Sequence, residues 1–232
     1  MGGTVAPVIR AVVFDFFGTL TEAVRRGPAH ARMADALGVT PAVLFAALDR
    51  TYPARARGEY GDGPASLARL ARDLGRPVDP ARLAEAEAWR LRAIRSSLRL
   101  RADALSTLTA VRAAGLGVGL VSDCTSELPG LLAELAITPL FDATVYSFAL
   151  GVTKPDPLLF RTAADLLGVP PAGCLYVGDG GGRELSGAAA VGMRAIRLAA
   201  PDLVDHLSYH HDAGWDGETV PSLTAVLAVL EP

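Results

Sequence analysis

An apolar run, Ala11-Val-Val-Phe14, leads straight to a single carboxylate, Asp15, and then to a turn of Phe16, Phe17, Gly18, Thr19 and Leu20. A strand of that composition is buried on both faces and carries the Asp at its carboxyl end, where Gly18 allows the chain to turn away. This is how a carboxylate nucleophile is presented. Alone, Asp15 would equally serve as a strand-end cap for the following turn. Three later segments stand with it. Gly117-Val-Gly-Leu-Val-Ser122 is a second apolar strand ending in a hydroxyl. Gly151-Val-Thr-Lys154-Pro-Asp-Pro157 holds the one lysine among 22 basic residues. A lone lysine in a chain that otherwise uses arginine suggests a need for a compact point charge rather than a planar fork. Leu175-Tyr-Val-Gly178-Asp179 is an apolar strand running into an acid, with Glu184 five residues further on. Gly178, Gly180 and Gly182 also suit a nucleotide or S-adenosylmethionine loop, but Asp179 would repel a dinucleotide pyrophosphate and the segment comes late in the chain.

Asp15 to Leu20 resembles the first motif of the haloacid dehalogenase (HAD) superfamily, in which Asp-x-Asp-Gly-Thr is usual among phosphatases. The Ser122, Lys154-Pro-Asp-Pro and Gly-Asp179…Glu184 segments resemble its second, third and fourth motifs, in order and over nearly the whole chain. The resemblance implies a nucleophile at Asp15, with Thr19, Ser122 and Lys154 as further catalytic residues. Ser122 would take a phosphoryl oxygen, and Lys154 would steady the charge on the nucleophile and the transferring group. Ser122, Asp123, Lys154 and Phe17 are the expected substrate contacts. Magnesium would be held by Asp15, the Phe17 carbonyl and Asp179, with Glu184 oriented to its waters.

Phe17 departs from the pattern, because phosphatases of the family carry their general acid there. Dehalogenases of the family usually have a non-acidic residue at that place and need no metal. The acidic fourth motif and the Lys-Pro-Asp-Pro stretch look more like phosphatases. The expectation is therefore magnesium-dependent hydrolysis of a small phosphorylated metabolite through an aspartyl-phosphate on Asp15. A 2-haloacid dehalogenase and a catalytically impaired relative kept for binding are the alternatives. A substitute proton donor could come from His30, Glu59 or Tyr60, and Arg55, Arg57 and the Arg92 to Arg99 face could meet an anionic substrate. Ordinary helix and loop roles are the simpler reading of each, and His206, His210 and His211 read as a polar loop away from the site.

These residues need a scaffold. Residues 21 to 98 show helical spacing without a strand pattern, with helices expected over Pro28 to Leu37, Pro41 to Arg57, Pro64 to Leu74 and Pro80 to Leu98. In the last, Leu91, Ile94 and Leu98 form an apolar stripe. From Leu105 onward helix and apolar strand alternate, which predicts an α/β fold with a doubly wound, mainly parallel sheet. The division expected is a HAD-like Rossmannoid core of residues 1–20 and 99–232 with a helical cap of residues 21–98. The tail from Pro201 reads as a loop and a closing helix.

Composition agrees with a globular enzyme: 232 residues, 50% hydrophobic, 20% charged, net charge -3. Such a balance gives no footprint for nucleic acid. Two cysteines without zinc spacing read as buried thiols. The amino terminus runs into the first strand without a distinct leader and no apolar run reaches 18 residues, so the expectation is a cytoplasmic protein with no membrane or nucleic-acid partner, acting on a small anionic substrate.

Overall fold

The computed structural model describes residues 8–76, 79–207 and 210–230. The amino-terminal leader reading falls largely on residues 1–7, outside this range.

Six strands form one parallel sheet: β1 (Ala11–Phe14), β2 (Gly117–Ser122), β3 (Ala143–Tyr146), β4 (Cys174–Gly178), β5 (Arg194–Leu198) and β6 (Thr219–Val220). Their order is β3-β2-β1-β4-β5-β6, so β1 lies between β2 and β4 near the middle. Helices α1 (Pro28–Leu37), α2 (Pro41–Ala56), α3 (Gly63–Asp73) and α4 (Pro80–Ser97) lie between β1 and β2 in the chain. The rest connect or follow the strands: α5 (Ala104–Ala113), α6 (Leu128–Glu134), α7 (Ser147–Leu150), α8 (Pro157–Leu167), α9 (Glu184–Ala190) and α10 (Leu223–Leu230).

Alternation along the strands gives the sheet its two apolar faces. Val12 and Phe14 join Val118, Leu120, Leu175 and Val177 in a core completed by α5, α6 and α10. Ala11 and Val13 face the other way, with Val121, Cys174 and Tyr176, onto α8 and α9. All four residues of β1 are fully buried, and Asp15 follows them with its amide still donating to the Val177 carbonyl (2.9 Å).

The four inserted helices have a core of their own in which Met33, Leu37, Leu44, Leu67 and Leu70 meet. Thr40, Asp62 and Asp79 each accept an amide hydrogen from the first turn of the helix that follows, and each of those helices has a proline in its first two positions. These are strong start signals, which is why the helix starts were legible. The expected stripe on α4 is not its buried face. Leu91 and Ile94 are half-buried while Ala86 and Ala93 are fully buried, and Ala86 joins the core of the inserted helices, where α4 packs against α1. Leu98 already lies beyond the helix end. An antiparallel bridge between Thr21 and Leu100 brings together the points where the chain leaves and rejoins the sheet layer. Among the described residues no single helix is long and apolar enough to cross a membrane.

Candidate active site

Parallel packing places the carboxyl ends of β1, β2 and β4 side by side, and with them Asp15, Ser122 and Asp179. Lys154 comes from the loop before α8 and lies between two acids. Its Nζ is 2.5 Å from Asp15 Oδ1 and 2.6 Å from Glu184 Oε2. Its side chain is 3% exposed. Burial alone would lower the pKa of this ammonium, but Asp15 and Glu184 outweigh it and hold it well above the ordinary lysine range.

Glu184, at the start of α9, is fully engaged. Its Oε1 accepts the Gly180 amide (2.9 Å), and its Oε2 accepts both Lys154 and the Tyr176 hydroxyl (2.8 Å). A Cβ on Gly178 would come within 2.1 Å of Oε1, so the carboxylate can seat itself there only because residue 178 is glycine. Asp179 differs. Its Oδ1 accepts the Gly181 amide (3.1 Å), while its buried Oδ2 has no hydrogen-bond partner among the described residues.

One ligand oxygen from each of Asp15, Asp179 and Glu184 lies within 4.8 Å of the others, all buried. An acid trio with an orphaned oxygen on Asp179 fits a hard cation that takes oxygen ligands. With both Glu184 oxygens occupied, Asp15 and Asp179 are the direct candidates and Glu184 braces Lys154 and the Gly180 loop.

Thr19 and Ser122 are fully buried. Among the described residues Thr19 Oγ1 has no hydrogen-bond partner, and Ser122 Oγ has none beyond the neighbouring Cys124 thiol. Phe17 has extended backbone, its ring meets Phe16 edge-on at 5.0 Å, and Gly18 follows in the left-handed region at φ 82°. Arg101 secures this turn by donating to the Gly18 (2.8 Å) and Thr19 (3.0 Å) carbonyls and pairing with Asp202.

Two spaces open above these residues. A cleft of about 550 Å³ is lined at its floor by Asp15, Lys154, Asp179 and Glu184. A second cavity of about 210 Å³ lies between the inserted helices and the sheet layer, lined by Met33, Leu48, Ile94 and Cys124 among others. Phe17, Tyr52, Asp123 and Leu207 border both. Asp123 Oδ1 accepts the Lys154 amide (3.0 Å), and the Tyr52 hydroxyl of α2 donates to the Asp123 carbonyl (3.0 Å). Burial pushes the Asp123 carboxyl up to about 6, against the pull of Lys154.

Asp15, Phe17, Asp123, Lys154, Asp179 and Glu184 therefore line one cleft, whereas Thr19 and Ser122 are fully buried and not part of its lining, and several other candidates stand apart. Glu59 pairs with Arg57, and the Tyr60 hydroxyl donates to Asp73. His30 faces the inner cavity, accepting the Gly27 amide on Nδ1. Arg95 pairs with Glu134 and Arg92 lies over Trp89, away from the cleft, whereas Arg57 borders the cleft and Arg55 the inner cavity.

His206 corrects the sequence reading. Its side chain is 3% exposed, with Nε2 3.7 Å from Asp179 Oδ2, and Nδ1 accepts the Val24 amide (2.9 Å). The proton is thus assigned to Nε2, and burial lowers the pKa despite Asp179 and Asp15 nearby. The segment lies beyond β5 with no strand end of its own, so strand counting could not place it; its nearness to Asp179 arises from the fold of the chain after β5. His210 also borders the cleft, and His211 packs by Gly180.

Comparison with known proteins agrees with this arrangement. A glyceraldehyde 3-phosphate phosphatase of Methanopyrus kandleri is 30% identical over 201 residues, covering 82% of this chain and 84% of that protein. A haloacid dehalogenase-like hydrolase domain-containing protein 3 of Bos taurus is 32% identical over 136 residues, 59% of this chain; the match spans about half (53%) of that relative's length. Among solved structures, a 2-haloacid dehalogenase of Pseudomonas syringae superposes with a TM-score of 0.67 at 21% identity, covering 96% of this chain and 98% of that one, which shows a shared fold. Residues 9–192 match the haloacid dehalogenase-like hydrolase family, and the chain belongs to it.

Proposed function

We propose that this protein is a magnesium-dependent phosphatase of small anionic metabolites that works through an aspartyl-phosphate on Asp15. The observation that carries the reading is the buried trio of Asp15, Asp179 and Glu184, with Asp179 Oδ2 left without a partner among the described residues. A hydrolase that displaces halide has no use for such a cation site. The likeness to a glyceraldehyde 3-phosphate phosphatase over 82% of the chain supports the same side.

In this reading the inserted helices, residues 21–98, act as a cap over a core of 1–20 and 99–232. Asp15, Asp179 and the Phe17 carbonyl would hold the magnesium, which when bound would supply positive charge against the phosphoryl oxygens. Asp15 attacks phosphorus with the oxygen not held by Lys154. Lys154, fixed by Glu184, offsets the negative charge that gathers on the nucleophile and the transferring group. The Ser122 hydroxyl at the end of β2 would donate to a phosphoryl oxygen, and Thr19 supports the turn that carries Asp15. Water then attacks phosphorus and returns Asp15 as a carboxylate. Phe17 contributes a carbonyl to the metal and an apolar wall to the leaving group, and no proton.

The experiment is an assay of purified protein with an aryl phosphate, an acyl phosphate and an alkyl phosphate, with and without magnesium, beside Asp15→Asn. Phosphate release that needs magnesium and disappears in Asp15→Asn supports the reading. Halide release from a 2-haloacid without metal, with no phosphate release, overturns it in favour of the dehalogenase that Phe17 would also suit.

A further inference from the structure

We propose that Asp123 donates the proton to the leaving group, in place of the acid absent at residue 17. The inference rests on the phosphatase reading above. A proton donor for the leaving oxygen must stand where the transferring group ends and the rest of the substrate begins. On the phosphatase reading, the border between the catalytic cleft and the inner cavity, formed by Phe17, Tyr52, Asp123 and Leu207, fits that place. Phe17 and Leu207 have no acidic proton, and the Tyr52 hydroxyl hydrogen is directed at the Asp123 carbonyl. His206 borders the cleft but not the inner cavity, and the Val24 amide occupies its Nδ1, which keeps the ring neutral. Lys154 is held between two carboxylates. Asp123 is left.

Its geometry suits the task. Oδ1 is fixed by the Lys154 amide, so the carboxyl cannot swing away. Oδ2 accepts no hydrogen bond among the described residues and fronts the cleft on the Gly182 side, where a Cβ on that glycine would lie 3.3 Å from it. The Tyr52 bond ties the Asp123 backbone to α2, so the inserted helices hold the donor at the mouth of the space that receives the leaving group. Among the described residues, the charged and titratable groups around it are Lys154 and Asp15 in the sheet layer, Cys124 beside it in the chain, Tyr52 and Arg55 of α2, Arg57 just past the end of that helix, and Arg183 beyond Gly182. Burial dominates among them and keeps the proton on Asp123 up to about 6. A carboxylic acid of that strength can protonate an alkoxide as it departs near neutral pH.

The step balances. Asp15 forms its O–P bond as the P–O bond to the leaving group breaks, and the Asp123 proton passes to the leaving oxygen to give a neutral alcohol. In the second half, the Asp123 carboxylate takes a proton from the attacking water, whose oxygen bonds to phosphorus. Asp15 is released and Asp123 is again the acid.

The test compares full-length wild type and Asp123→Asn on an alkyl phosphate and a series of aryl phosphates of graded leaving-group acidity, over pH 4.5 to 8.5 with magnesium. Asparagine keeps the acceptor for the Lys154 amide and removes only the proton. The expected result is a fall of about 10² to 10⁴ in kcat/KM for the alkyl ester and a much smaller fall for the most acidic phenol, so that dependence on the leaving group steepens. In wild type alone the alkyl-to-aryl rate ratio should decline as the pH rises through about 6, which gives a reading even if the variant does not fold. An alkyl-to-aryl ratio that is the same in both proteins, or that is flat with pH in wild type, overturns the proposal while leaving an Asp15-dependent aryl phosphatase intact. No magnesium-dependent phosphate release from any ester overturns both.

Discussion

Lys154 Nζ stands 2.5 Å from Asp15 Oδ1, and the pair is buried at the carboxyl end of β1. The contact joins residues 139 positions apart, so the chemistry of the site and the closure of the fold share one ion pair. Removing the ammonium leaves Asp15 and Glu184 buried without their cation. Lys154→Met should therefore cost about 3–5 kcal/mol in urea denaturation and abolish turnover. Lys154→Arg should fail as well, because a planar fork cannot occupy the space of a tetrahedral ammonium between two carboxylates.

Metal binding should depend on Asp179 more than on Glu184, since only Asp179 has an orphaned oxygen. Titration calorimetry with magnesium should show no heat of binding for Asp179→Asn. Glu184→Gln should bind more weakly while losing turnover, because its principal bonds are to Lys154, Tyr176 and the Gly180 amide. Equal loss of binding in both variants would make Glu184 a direct ligand.

Gly18→Ala should damage both stability and activity. The position has φ 82°, and an added Cβ would lie 2.7 Å from His206 Nε2. The left-handed backbone costs roughly 1–2 kcal/mol, and displacement of His206 strips the Val24 amide of its acceptor. Gly130→Ala, where a Cβ meets nothing within 4 Å on helix α6, should instead raise stability by up to about 1 kcal/mol. Thermal melts of the two variants beside wild type check both signs.

Asp123 gives stability a pH dependence of unusual sign for a carboxylate. Folded Asp123 keeps its proton up to about 6, against an ordinary 3.8. Its contribution is then fully present below about 3.8 and is lost as the pH rises through about 6, amounting to no more than about 3 kcal/mol. Asp123→Asn should lack this slope, as read by denaturant midpoints between pH 4 and 7.

Arg90 of α4 ties the inserted helices to the segment before α6. It is 2.6 Å from Glu87 and 2.5 Å from Glu127, with a side chain 15% exposed. Arg90→Met should leave two acids facing each other and lower stability by about 3 kcal/mol. A change below half that value would show that water reaches the pair.

Much of the molecule was legible because the signals were local. Proline at the helix starts, the capping acids and the apolar runs lie within a few residues of what they determine, so β3, β5, α1 and α8 fall where spacing alone puts them. Asp15, Ser122, Lys154 and Asp179 were legible because each ends a strand or opens a helix in a parallel sheet. What sequence could not show was tertiary in origin. His206 reaches Asp179 only through the path of the chain after β5. β6 has two residues, too short for a pattern. The engagement of both Glu184 oxygens, which alters its part in the site, depends on Tyr176 and the Gly180 amide arriving from different directions. Asp123 read as a substrate contact, and its place at the border of two cavities depends on where α2 lies.

The bridge between Thr21 and Leu100 has an evolutionary and an engineering consequence. Everything from Glu22 to Arg99 leaves and returns through two adjacent backbone positions, with the Glu22 amide bonded to the Arg99 carbonyl. To the sheet, this long excursion is a single closed loop whose entropic penalty grows only with the logarithm of its length. Strand order and register therefore do not depend on the length of the excursion, but any exchange has to carry over the contacts by which it grips the layer beneath, Tyr52 on Asp123 and Arg90 on Glu127, so the excursion and the loop after β2 would be transplanted as one unit.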